Sequence, residues 1–162
     1  MQFFYKKEDR FGYFFSRTDI EYSNGRILKQ IYIDQSTAFG PQDGILEFAG
    51  TETMLFENGN VIEIACVERG DKRFFTYGSG KSPFINVDNF EILQILFSSN
   101  INLLSGIPEL FMGVNNLETQ KHSTVELEQF YDTEYGQNTL PTTIVEINQV
   151  GSLRDIVSII YQ

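Results

Sequence analysis

The stretch Met54-Leu55-Phe56-Glu57-Asn58-Gly59-Asn60-Val61-Ile62-Glu63-Ile64-Ala65-Cys66-Val67-Glu68-Arg69-Gly70-Asp71-Lys72-Arg73-Phe74-Phe75-Thr76-Tyr77 decides the fold class. Three apolar, aromatic-rich runs are separated by two short polar segments. Asn58-Gly59 accepts the positive φ of a tight hairpin, and Gly70 accepts it in the next turn. Runs of this length bounded by turn residues are strands, so residues 54–77 read as a three-stranded antiparallel meander.

Toward the N-terminus the pattern continues. Ile45–Phe48 and Glu52–Phe56 flank Gly50 as short strands, behind a loop at Gly40–Gly44. Ile27 to Ile33 alternates, with Ile27, Lys29, Ile31 and Ile33 on one side and Leu28, Gln30 and Tyr32 on the other. Ser23-Asn24-Gly25 is a turn before it. Phe3–Tyr5 and Phe11–Phe15 are aromatic runs separated by Lys6-Lys7-Glu8-Asp9-Arg10, which reads as a hairpin with a charged tip.

Toward the C-terminus, Gly78–Pro83 breaks the strand pattern. Asp88 and Glu91 then match a capping box, and Phe90, Ile92, Leu93, Ile95, Leu96 and Phe97 cover most of a helix circumference. Ser98-Ser99-Asn100 ends that helix, and Ile101–Val114 reads as irregular, with room for a turn of helix near Pro108–Met112. Thr124–Tyr131 reads as a strand in preference to a helix, and Thr142–Val150 as a strand rich in β-branched residues. Leu153–Tyr161 reads as a final strand, although Ser152-Leu153-Arg154-Asp155 also matches a capping box and leaves a helix open.

Composition agrees with this reading. The 162 residues include 15 Phe, 8 Tyr and no Trp, while Ala occurs only at Ala38, Ala49 and Ala65. Aromatics favour strands and Ala favours helices. The expected fold is mainly β: a single β-rich domain over residues 1–162, an antiparallel barrel or sandwich of eight to ten strands with one buried helix near residues 88–98.

Charge and motifs exclude several functions. A net charge of −10 repels phosphate and disfavours nucleic acid. No window approaches a membrane span and no secretory signal is readable, so the expected location is the cytoplasm or a virion assembled there. Cys66 alone excludes an intramolecular disulfide or Cys-based zinc site and sits in an apolar run as an inert thiol. Gly78-Ser79-Gly80-Lys81-Ser82 mimics the end of a phosphate loop, but Phe75 stands where the first glycine is needed, so a plain turn without nucleotide is expected. His122 lies in a polar stretch and reads as an exposed loop residue without triad partners. Among the carboxylates, Asp19, Glu21, Glu47, Glu63, Glu126 and Glu128 show no marked pair, so no cofactor, metal or catalytic residue is assigned.

The N-terminal hairpin remains. Adjacent side chains of a strand point to opposite faces. Its aromatics, Phe3, Phe4, Tyr5, Phe11, Tyr13, Phe14 and Phe15, thus place one set in a core and offer another to a partner. The leading expectation is a non-catalytic assembly subunit engaging protein subunits in a homo- or hetero-oligomer, such as a phage tail or capsid component. The alternatives are an acidic immunity or inhibitor module for a basic protein partner, and a β-barrel holding an apolar small molecule.

Overall fold

A computed structural model describes residues 1–9, 12–36, 46–97, 113–124, 128–136, 140–148 and 153–160. Ten strands and one helix follow in order: β1 (Gln2–Asp9), β2 (Gly12–Ser23), β3 (Arg26–Ser36), β4 (Glu47–Glu57), β5 (Asn60–Cys66), β6 (Lys72–Lys81), α1 (Phe90–Phe97), β7 (Asn115–His122), β8 (Glu128–Tyr135), β9 (Pro141–Asn148) and β10 (Leu153–Ser158). Each strand pairs antiparallel with its sequence neighbours in one sheet ordered β1 to β10. The connectivity is that of an up-and-down barrel. Among the described residues it is left open between β1 and β10.

The two Asn-Gly turns form as their chemistry requires. Asn24 and Gly25 take φ of 52° and 73°, and Asn58 and Gly59 take 52° and 79°. Both residues of each pair are in the left-handed region, which matches the twist of the flanking strands. The meander of residues 54–77 is β4, β5 and β6.

One face of the sheet is covered. Ile27, Met54, Val61, Ile64, Phe75 and Leu117 meet there, and Ile95 of α1 packs against them. Beyond this apolar zone the covered face turns polar, with Thr18, Lys29, Glu52, Arg73, Gln120 and Gln129 all buried. The helix lies between. Gln94 Nε2 donates to the Gly59 carbonyl at 2.9 Å, and the Ile95 carbonyl accepts from Lys29 Nζ at 2.7 Å. Ile95 is in the last turn of α1, where carbonyls lack helical partners. Lys29 therefore caps the helix from the sheet.

Several expectations change. The two strands expected on either side of Gly50 are one: β4 runs from Glu47 through Gly50, and the irregularity is a bulge where Ile31 pairs with Gly50 but Tyr32 with Phe48, while Ile45 lies outside the described residues. Lys6 to Asp9 do not form the hairpin tip; they belong to β1, with Lys6 paired to Phe15 and Glu8 to Tyr13. Gly78 to Lys81 continue β6 instead of turning, since Lys81 still pairs with Asn115. The helix begins at Phe90 with the Asn89 carbonyl accepting from Ile92 and Leu93. Asp88 thus stands one residue outside the capping position. The strand expected at 124–131 is β8 at Glu128–Tyr135, and β7 precedes it over a polar stretch that carried no strand reading. Residues 153–158 are strand, resolving the helix alternative. The loop at 40–44, the helix end at 98–100, most of the irregular 101–114 segment, Phe11 and Glu126 lie outside the described residues.

Candidate functional site

The N-terminal hairpin separates its two faces. Phe3 packs against the core cluster, whereas Phe4 is 61% exposed. Tyr5 pairs with Ser16, Phe14 with Lys7 and Phe15 with Lys6 along the β1–β2 ladder, and Tyr13 pairs with Glu8. Phe4 opens a row that crosses the outer face. It pairs with Arg17, Arg17 pairs with Tyr32, and Tyr32 pairs with Phe48. The Arg17 guanidinium stands 4.2 Å from the centre of the Tyr32 ring. Tyr32 and Phe48 meet edge to face at 5.7 Å. Asp19 holds Arg17 from the same strand at 3.2 Å.

This arrangement brings Phe4 together with three residues that sequence reading did not select: Arg17, Tyr32 and Phe48. The signal was present in part. Tyr32 alternates against Ile31 and Ile33, so it had to face outward from them. Only the register shows that it lines up with Phe4.

The other end of the sheet repeats the pattern. Ile159 packs against the core cluster, while Ile156 is 58% and Ile160 is 86% exposed. Strand β1 thus carries an inward apolar residue beside an outward one, and so does the stretch from Ile156 of β10 to Ile160 just beyond it.

The charged groups elsewhere are tied into structure. Glu63 accepts from Arg26 Nη1 at 2.7 Å and lies 3.4 Å from Lys72 Nζ. Burial raises its carboxyl, but the hydrogen bonds and charges of Arg26 and Lys72 outweigh that and hold it below the usual value. Glu68 accepts from the Thr51 amide at 2.8 Å, which lowers its carboxyl as well. The buried Cys66 thiol points toward Glu68 at 3.8 Å. Tyr77 donates to the Val61 carbonyl at 2.7 Å, and burial drives its phenol far above the ordinary range.

His122 is not in a loop. It ends β7, half-buried, with Nε2 at 3.7 Å from Asp71 and Nδ1 at 3.1 Å from Thr124 Oγ1. Ser82 is buried, its amide bonds the Val114 carbonyl and its hydroxyl accepts from the Phe84 amide. Such a serine closes a turn. Among the described residues no three His, Cys, Asp or Glu side chains gather as metal ligands, and no helix is long and apolar enough to cross a membrane.

No family model, curated protein or solved structure matches the chain. The functional reading therefore rests on the two sheet edges and the outward row that starts at Phe4.

Proposed function

We propose that the protein is a non-catalytic structural subunit that assembles edge to edge with further copies of itself. The observation that carries this reading is a ten-stranded antiparallel sheet that, among the described residues, ends on two open edges, each with exposed apolar residues. Open edges offer unpaired backbone groups to another strand. An even strand number makes β10 antiparallel to the β1 of an identically oriented copy. A head-to-tail contact then continues the meander and repeats, as a ring or a longer array.

The sequence specifies a register. Lys7-Glu8 on β1 and Arg154-Asp155 on β10 carry charges in opposite order. A pairing that sets Lys7 opposite Asp155 brings Glu8 to Arg154, the bulged residue of β10. It also sets Phe3 opposite Ile159, both inward, and Phe4 opposite Ser158, with Ile156 and Ile160 as its diagonal neighbours. Diagonal neighbours lie within reach of an aromatic ring. Burying Phe4 at such a contact is worth about 1.5–3 kcal/mol before the costs of association.

The finer form of this reading is a phage virion component, tail or capsid, put together in host cytoplasm. Abundant Phe and Tyr with three Ala support it by composition alone. A charge of −10 on each copy opposes assembly at low salt and is screened over about 8 Å at physiological ionic strength.

A charge exchange tests the register. Glu8→Arg should dissociate the assembly, Arg154→Glu should do the same, and the two together should restore it. If neither single change alters particle size, the edge-to-edge reading fails. A monomer whose unfolding midpoint alone follows the exchange would mean that the two edges close within one chain.

A further inference from the structure

Strand β6 passes through Gly78-Ser79-Gly80, and β7 bulges beside it: Thr76 pairs with Thr119, but Tyr77 pairs with Leu117. The bulge leaves Glu118 between two pairs. Its carboxylate lies against Gly78, where any Cβ would overlap it, and the phenol end of Tyr135 lies against Gly80 in the same way. The Tyr135 hydroxyl is held by Asn116 Nδ2. Glycine at both positions lets side chains of β7 and β8 lie down across β6. A cleft of about 660 Å³ results, lined also by Lys81, Asp132 and Thr133. That volume suits a small molecule.

A second observation points to a ligand. Asn116 is 5% exposed and lines the cleft, yet its Oδ1 has no hydrogen-bond partner. Buried amide oxygens are ordinarily satisfied, so a donor is missing here. The charges select its class. An anion would meet Glu118 and Asp132, a cation would meet Lys81, and an apolar molecule would leave Asn116 unsatisfied. A neutral polyol donates to the carboxylates and to Asn116, accepts from Lys81 and Thr133, and lays its C–H face on the Tyr135 ring. We infer that this cleft is a carbohydrate site sized for a mono- or disaccharide.

Saturation-transfer difference NMR on the full chain tests this, because it reads weak binding whatever the particle size. The probes are the methyl glycosides of glucose, galactose and mannose, and N-acetylglucosamine. Spermidine and inorganic phosphate are titrated as a cation and an anion. At least one sugar should bind saturably. Glu118→Gln and Asp132→Asn, both at exposed positions, should each weaken it about tenfold, the usual worth of a hydrogen bond to a charged group. Circular dichroism of both variants confirms that they stay folded. Three results overturn the proposal: no sugar binds, binding is unchanged in both variants, or only spermidine or phosphate binds at the site those variants define.

Discussion

Lys29 shows how a single residue links sheet and helix. Its side chain is 1% exposed, 3.3 Å from Glu52, itself 2% exposed. Burial lowers the proton affinity of the ammonium, and the Glu52 charge raises it part of the way back. A buried ion pair adds little net stability over an apolar pair, but removing one member takes the countercharge from a group that stays buried. Lys29→Met should therefore cost about 3–5 kcal/mol, and adding Glu52→Leu should recover much of that. Urea denaturation with an unchanged slope reads both effects. Glu63 gives the pH test. Its folded carboxyl titrates below the usual 4.5, so its contribution is present above that value and is lost as pH falls through the lowered one. Glu63→Gln should flatten the fall in stability as pH drops below the usual carboxylate value; an unchanged acid limb would remove Glu63 as a cause. Alternation placed Lys29 on one side with Ile27 and Ile31, and the structure shows that this side is the buried one. Its partner was not legible, because Glu52 faces it only through the β3–β4 register.

At the scale of elements, turn chemistry was the most legible signal. Asn58-Gly59 forms its hairpin, and the structure adds a contact that no local reading contains: a Cβ on Gly59 would sit 3.1 Å from both Val114 methyls. Gly25 has the same positive φ with nothing within 4 Å. Both positions carry the backbone penalty of roughly 1–3 kcal/mol, and Gly59 carries crowding as well. Gly59→Val should therefore lower the denaturation midpoint more than Gly25→Val does, and equal losses would show that Val114 yields freely. Strand β7 was missed for a physical reason. Leu117 is its one apolar residue, and its other buried positions are the amides Asn116 and Gln120. Hydrophobic alternation has nothing to detect there. Gly78 and Gly80 misled in the opposite direction. They read as a break, although their missing side chains make room for Glu118 and Tyr135 beside a continuing strand.

For the whole molecule, the class was legible from composition and the antiparallel order from the succession of turns. The open edges were not, because closure depends on how ten twists accumulate and no single residue records it. The adjacent pair Phe3-Phe4 did mark the edge strand as two-faced, and Ile159-Ile160 has the same property at the other edge. These pairs predict two separable phenotypes. Phe3→Ser should lower the stability of the chain, since Phe3 packs on the core. Phe4→Ser should leave the unfolding midpoint nearly intact and reduce assembly. If both changes simply unfold the chain, the hairpin is ordinary core. The most direct measurement is the mass of the native particle by light scattering, taken at low salt and again at about 500 mM salt, where the Debye length falls below 5 Å. The edge-to-edge account predicts a multiple of 18.6 kDa at micromolar protein. A mass of 18.6 kDa at both salt concentrations, at micromolar protein and above, would contradict it.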